Sequence, residues 1–232
     1  MAAGTVPHDP RRQPLQAGLA ALRLSADDAV VERMLQYLDL LLKWNRTYNL
    51  SAVRDPQQML SQHLLDCLAA LPSLDRRVGS RPVRILDVGS GAGLPGVVWA
   101  LMRPHWSVVC VDAVAKKMSF VRQVIAELRL KNLQAEHARV EALGQGGFDL
   151  VTCRAFASLA DFTSLTQPCL AADGCWVAMK GKRPDDEIAA LSPQVEVFHV
   201  EPLQVPGLDA QRCLVWMRLS SSETGLTSHI DA

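Results

Sequence analysis

The sequence is poor in aromatic residues, carries no surplus of charge and lacks long apolar runs. Aromatic residues make up 5% of its 232 positions, and 24 Lys and Arg balance 24 Asp and Glu. No apolar run reaches the roughly 18 residues that a membrane-spanning helix requires, and the start of the chain lacks the apolar centre of a secretory signal. These absences predict a cytoplasmic protein with no membrane contact.

The six cysteines are scattered, and no two of them form a Cys-x-x-Cys pair. Most have apolar neighbours, as Cys110 does between Val109 and Val111. In a reducing compartment such residues are typically buried free thiols. The sequence therefore predicts neither a disulfide framework nor a zinc or other metal site. The cysteines are Cys67, Cys110, Cys153, Cys169, Cys175 and Cys213.

Length and composition favour one substantial domain with a smaller attachment. Hydrophobic residues make up 49% of the chain, which is enough for a core and too many for a disordered chain. We expect residues 1–14 to form a disordered arm and residues 220–232 a flexible tail. A monomer is expected because no surplus amphipathic helix is evident.

Residues 15–80 are predicted to form a helical extension. A capping box at Ser25–Asp28 precedes a helix from Val30 to about Asn45, where apolar residues recur at helical spacing. Asp55 and Pro56 predict the start of a second helix through Ala70. We expect Pro72 to end that helix.

From residue 81 to 219, short apolar runs alternate with helical segments. This alternation predicts βαβ crossovers and a mostly parallel sheet covered by helices. The last two strands, 195–201 and 212–219, predict a hairpin that adds an antiparallel strand to the sheet edge. The other predicted strands are 83–88, 107–111, 133–136, 148–153 and 174–179, and the helices are 95–102, 115–128 and 159–170.

Four glycines follow the first predicted strand, in the segment Ile85–Gly96, whose sequence is ILDVGSGAGLPG. Glycines allow a sharp turn and a close approach to a ligand, and this loop is expected at the carboxyl ends of the strands, where ligands bind. The spacing from Gly91 to Gly96 matches the dinucleotide fingerprint, with Asp112 at the distance of a ribose partner. An NAD-dependent oxidoreductase is therefore one hypothesis.

Asp87 favours a different ligand. A carboxylate two residues before the first glycine stabilises a sulfonium cation or an amino group, whereas it offers a pyrophosphate nothing. Asp112 stands at the end of the next predicted strand. Together with it, the loop of Gly89, Gly91 and Gly93 fits S-adenosylmethionine better than NAD. We therefore expect S-adenosylmethionine to be the cofactor.

The loop segment Leu86–Gly96 occurs together with five further segments: Trp44–Leu50, His63–Asp66, Arg139–Glu141, Arg154–Leu159 and Lys180-Gly181. In this combination the chain resembles the GidB/RsmG family of 16S ribosomal RNA guanine-N7 methyltransferases, over nearly its whole folded length. The resemblance implies a class I S-adenosylmethionine-dependent methyltransferase fold of the α/β class. Such a fold is Rossmann-like, with a mostly parallel seven-stranded sheet, an antiparallel edge strand and here an N-terminal helical extension. The implied activity is methylation of the guanine at position 527, in the 530 loop.

The resemblance also implies roles for particular residues. Gly89 and Leu94 would line the methionine side of the cofactor, Val140 and Glu141 would flank the adenine, and Arg154 would close the site. Small residues stand at the non-glycine positions of the loop, where relatives often have Thr or Pro.

Guanine N7 presents a lone pair in the plane of the ring, so methylation is a direct displacement with no proton to remove first. We therefore expect no strictly required catalytic residue, with Arg154 as an orienting group that contacts the cofactor, O6 or a phosphate. A cysteine nucleophile at Cys153 is less favoured than a buried thiol.

The residues expected to contact RNA are Arg139, Phe156, Lys180 and Lys182, while the roles of His63 and Asp66 are left open. The expected partner is 16S rRNA within the 30S subunit or an assembly intermediate, and naked rRNA is the alternative acceptor. A non-catalytic RNA-binding assembly factor is the second alternative.

Overall fold

Seven strands form one sheet in a computed structural model that describes residues 9–220. Their order is β3-β2-β1-β4-β5-β7-β6, and the first five in this order are parallel to one another. The strands are β1 Arg84–Val88, β2 Ser107–Asp112, β3 Leu133–His137, β4 Phe148–Arg154, β5 Leu170–Lys180, β6 Val195–Leu203 and β7 Arg212–Leu219. This arrangement confirms the predicted α/β fold class.

One detail of the predicted sheet differs. The antiparallel strand β7 lies between β5 and β6, so it is one place in from the edge. The reason is the burial of the two hairpin strands: Cys213–Met217 is buried without interruption, whereas β6 is mostly half-buried. A strand that is apolar on both faces is stabilised in the sheet interior.

Helices cover both faces of the sheet. Neighbouring residues of the central strands belong to separate cores, as Ile85 and Leu86 do, because side chains of a strand alternate between faces. Pairing in register places the carboxyl ends of β1, β2 and β4 together. The helices that follow the first strand are α6 Gly96–Met102, α7 Ala115–Leu128, α8 Leu159–Thr166 and α9 Asp185–Ala189.

The amino-terminal part of the described chain is helical. Its elements are α1 Arg12–Ala21, α2 Asp28–Tyr48, α3 Pro56–Met59, a π-helical segment Leu60–Leu65, α4 Asp66–Ala69 and α5 Leu71–Val78. These helices share one core with a face of the sheet, so the predicted division of the chain after residue 80 stays a prediction. No helix in residues 9–220 combines the length and apolarity needed to cross a membrane.

Three local predictions need correction. Residues 9–14 do not belong to a disordered arm, since Arg11 bonds Asp9 and Asp39 and α1 has begun by residue 12. The cap of α2 is Asp27, whose side chain accepts from a backbone N–H. Pro72 lies in the first turn of α5, which begins at Leu71, instead of ending the preceding helix, because proline is tolerated in a first turn. Residues 1–8 and 221–232, which hold the rest of the predicted arm and nearly all of the predicted tail, lie outside the described residues.

Replacing Arg129 by glycine is expected to stabilise the protein by about 0.5–1 kcal/mol. Arg129 ends α7 with a left-handed φ of +52°, a conformation that glycine adopts without a steric cost. The free energy of unfolding in urea measures the change. A matched Arg122→Gly substitution within α7 should instead destabilise the protein, and a loss of stability in Arg129→Gly would contradict the prediction.

Candidate functional site

The glycine loop connects β1 to α6 and folds back against the end of β2. The backbone N–H groups of Gly89 and Ser90 both donate to the carbonyl oxygen of Val111, at 2.9 and 3.2 Å. Gly89, Gly91 and Gly93 have φ angles of +64°, +60° and +85°, a region that costs other residues about 1–2 kcal/mol. The loop forms without that cost because glycine occupies all three positions.

Gly89 is also a point of close approach. A Cβ atom there would lie 2.5 Å from Cδ2 of Phe156, whereas nothing lies within 4 Å of a Cβ atom built at Gly91. Position 89 therefore requires glycine for space and for conformation, and position 91 for conformation alone.

Asp87 lies beneath the loop. Its buried Oδ2 accepts a hydrogen bond from the N–H of Gly96 at 2.8 Å and lies 3.8 Å from Sγ of Cys110. Oδ1 has no hydrogen-bond partner in the described part of the chain. Burial raises the pKa of Asp87 from 3.8 to about 7. This carboxyl group supports the turn from below, and its contact with a cofactor stays a prediction.

Asp112 ties the glycine loop to the start of α7. Its Oδ2 accepts from the N–H of Gly91 at 3.0 Å and from Nζ of Lys117 at 3.3 Å, and its Oδ1 accepts from the N–H of Val114 at 2.9 Å. The side chain is nearly buried. These bonds fix the carboxylate at the end of β2, where it lines a cleft at the carboxyl ends of the strands.

The first cleft opens where β1, β2 and β4 end and has a volume of about 350 Å³, within the range of small-molecule sites. Apolar wall residues include Val111 and Leu165. The structure brings together in its walls six residues singled out in the sequence: Gly89, Asp112, Arg139, Val140, Glu141 and Phe156. The predicted cofactor residues outside its walls are Asp87, Gly91, Gly93, Leu94 and Arg154.

A second cleft, of about 480 Å³, adjoins the first. Ala155 lines both clefts and has a left-handed φ of +54°, which is uncommon for alanine. This turn directs Arg154 into the second cleft and Phe156 toward Gly89 in the first. The two clefts are thus separated by a residue with a very small side chain.

Asp66 pairs with two arginines in the second cleft. Nη1 of Arg154 donates to Oδ2 of Asp66 at 3.0 Å and to the carbonyl oxygen of Gln62 at 2.9 Å. Nε of Arg212 donates to Oδ1 of Asp66 at 2.8 Å. Gln62 belongs to the π-helical segment, and such segments often occur at functional sites because they redirect backbone groups.

The turn from Ser51 to Val53 also lines the second cleft. Nδ2 of Asn45 donates to the carbonyl oxygens of Ser51 and Val53, at 2.9 and 3.2 Å, and its Oδ1 accepts from the N–H of Ser51. Oγ of Ser51 lies 2.8 Å from Nε2 of His63. Burial and the charge of Arg154 lower the pKa of His63 to about 4, so its imidazole is neutral at pH 7.

The lysines predicted to contact RNA differ in their surroundings. Nζ of Lys180 donates to both carboxylate oxygens of Glu187, at 3.0 and 2.8 Å, so its charge is already paired. Lys182 is exposed, as is Arg139 beside the first cleft. RNA contact by Lys180, Lys182, Arg139 and Phe156 stays a prediction.

Cys153 lies near the end of β4, where a nucleophile would stand. Its side chain is buried, and burial raises the pKa of the thiol well above its usual value. A thiol in this state is a poor nucleophile because the thiolate is the reactive form.

Two residues of the site, Arg212 and Lys117, are not among those predicted from the sequence. Lys117 lies in the first turn of α7, five residues after Asp112, and this local spacing was a usable signal. Arg212 stands 146 residues from Asp66, so no pattern in the sequence relates the two.

Comparison with known proteins gives a consistent result. Residues 30–215 match the GidB family, described as rRNA small subunit methyltransferase G. The chain is 58% identical over 209 residues to the ribosomal RNA small subunit methyltransferase G of Leptothrix cholodnii, covering 90% of this chain and 96% of that relative. A second such protein, from Methylibium petroleiphilum, is 57% identical over 88% of this chain and 93% of its own length.

Solved structures resemble the chain in fold. TrmN from Thermus thermophilus superposes with a TM-score of 0.54 at 19% identity, covering 69% of this chain and 53% of that one. An S-adenosylmethionine-dependent methyltransferase from Aquifex aeolicus gives a TM-score of 0.51 at 14% identity, covering 72% and 94%. At these identities the likeness shows a class I methyltransferase fold.

Proposed function

The chain belongs to the GidB family of rRNA small subunit methyltransferases, and from this premise we propose that it methylates N7 of the guanine at position 527 of 16S rRNA. The methyl donor is S-adenosylmethionine, held in the first cleft. The observation that carries the proposal is the junction at Ala155, where a glycine-lined cleft meets a second, cationic one. A donor and an acceptor bound on the two sides would meet there.

The residues of the first cleft fit this cofactor. Gly89 lets the backbone approach the ligand, Asp112 stands where ribose hydroxyls need an acceptor, and Val140 and Glu141 supply an apolar and a polar contact for adenine. The cofactor supplies a methyl group on a sulfonium cation. Gly91, Gly93 and Leu94 shape the loop behind Gly89, and Asp87 adds negative charge beneath it.

The protein's part in the reaction is positioning. Guanine N7 attacks with its own lone pair, so no side chain has to remove a proton. This agrees with two nearby side chains: the lowered pKa of His63 makes its imidazole a weak base, and burial keeps the thiol of Cys153 protonated. Arg154, which lines the second cleft next to Ala155, is the orienting residue. Neither alternative, an oxidoreductase or a non-catalytic assembly factor, is favoured, because the matched family is one of methyltransferases.

We place the enzyme in the cytoplasm, acting as a monomer on the 30S subunit or an assembly intermediate. Methyl transfer from labelled S-adenosylmethionine to 30S subunits tests the function directly. We expect one labelled guanine, located by the strand cleavage that follows borohydride reduction and aniline treatment of N7-methylguanine. Label at another atom or on another RNA would reject the proposal. Deproteinised 16S rRNA as the acceptor tests the requirement for the particle.

A further inference from the structure

The second cleft contains two arginines that one carboxylate holds in place. The side chain of Asp66 is 4% exposed, while those of Arg154 and Arg212 are 22% and 26% exposed. The carboxylate is therefore buried, and each guanidinium group keeps an accessible edge. A buried charge requires pairing. The hydrogen bonds that both arginines donate to Asp66 therefore fix their orientation before a ligand arrives.

Both arginines retain hydrogen-bond donors for a ligand. Within residues 9–220, Nε and Nη2 of Arg154 and Nη2 of Arg212 donate to no protein acceptor. Two positive charges against one negative charge leave the cluster with a surplus of one. Lys180 adds none, because Glu187 neutralises it. The cleft is therefore suited to an anion with several oxygens.

A guanine nucleotide offers two kinds of acceptor to such a cluster, O6 of the base and the phosphodiester. A cationic donor on O6 withdraws electron density from the ring and weakens the attack of N7. A donor on the phosphodiester leaves the ring unchanged, and guanidinium groups match phosphate oxygens in a bidentate geometry. The chemistry of N7 methylation thus favours the phosphodiester.

The rest of the cleft suits the base. Ala52 and Val53 of the turn held by Asn45 and His63, together with Met179 of β5, line the same cleft. Their apolar side chains offer a surface for a base and carry no donor that would compete for N7.

We propose that Arg154 and Arg212, oriented by Asp66, bind the phosphodiester of the target nucleotide and hold its base in the second cleft with N7 toward Ala155. This inference rests on the proposed function and assigns the acceptor side of that site. Arg212 is a positioning residue for the RNA substrate.

The test compares Arg212→Gln with Arg218→Gln in methyl transfer to 30S subunits. Both arginines belong to β7 and both pair with a carboxylate, but Arg218 pairs with Glu196 at the other end of the strand. We expect Arg212→Gln to raise KM for the subunit at least about tenfold. The slope of log KM against log salt should fall by about 0.7, the loss of one phosphate contact to a single strand. Arg218→Gln should leave both quantities unchanged.

Further measurements separate this role from a structural one. Arg212→Lys keeps the charge, so it should retain the salt slope with an intermediate KM. The Kd of S-adenosylhomocysteine should stay within twofold of wild type in all three variants, because Arg212 does not line the first cleft.

Three outcomes would overturn the inference. An unchanged KM and salt slope in Arg212→Gln would remove Arg212 from the RNA site, and a raised KM with an unchanged slope would assign the contact to the base. Weakened S-adenosylhomocysteine binding in Arg212→Gln would assign the arginine pair to the cofactor. A wild-type protein that methylates no guanine would instead refute the proposed function, so the two failures are distinguishable.

Discussion

Gly89→Ala is expected to weaken binding of S-adenosylhomocysteine at least about fivefold more than Gly91→Ala does. Both positions have nearly the same left-handed φ and share the conformational cost of about 1–2 kcal/mol. Only at Gly89 would the new methyl group lie 2.5 Å from the ring of Phe156. Relief of that overlap moves the ring or the loop at the wall of the first cleft, at a further cost of about 1–3 kcal/mol. Calorimetric titration measures both Kd values.

A double variant identifies the cause of the Gly89 effect. In a Phe156→Ala background the overlap is absent, so Gly89→Ala should weaken binding only about as much as Gly91→Ala does in the wild-type protein. If Gly89→Ala is equally harmful in both backgrounds, contact between Gly89 and Phe156 does not explain the requirement for glycine.

The stability of the protein is expected to depend on pH through Asp87. Burial raises the pKa of this carboxyl from 3.8 to about 7 in the folded protein, so between these values the folded state binds the proton more tightly than the unfolded chain does. The stability that this group contributes is present below pH 4 and is lost as the pH rises to 7. A pKa difference of that size between the folded and unfolded states corresponds to about 4 kcal/mol in the free energy of unfolding.

Asp87→Asn isolates this contribution, because the amide stays neutral and its oxygen still accepts from Gly96. The variant should match the wild type near pH 4 and exceed it by up to about 4 kcal/mol at pH 8, as measured by urea unfolding across this range. Asp149→Asn is a control in which the pKa of the replaced carboxyl group is shifted in the opposite direction. Despite partial burial, hydrogen bonds from Arg81 and Arg84 lower the pKa of Asp149, so that variant should lose stability above pH 4. Parallel stability curves for wild type and Asp87→Asn would contradict the prediction.

The fold and the first cleft were largely accessible from the sequence. Apolar periodicity and turn residues act over short stretches of chain, so the strands, the glycine loop and Asp112 at the end of β2 followed from local patterns. Placement of β7 inside the sheet did not, because it depends on which strand of the hairpin is buried on both faces.

The sequence by itself determined that a parallel sheet carries a glycine turn at the carboxyl ends of its strands, since the conformational needs of glycine and the alternation of buried residues are encoded locally. Only the tertiary structure decided that Asp87 supports the loop from beneath and that Arg154 faces a second cleft. It alone brought Arg212 to Asp66 from the far end of the chain. The physical reason is that buried charges are paired by packing across the fold, and the sequence separation of the partners carries no trace of that pairing.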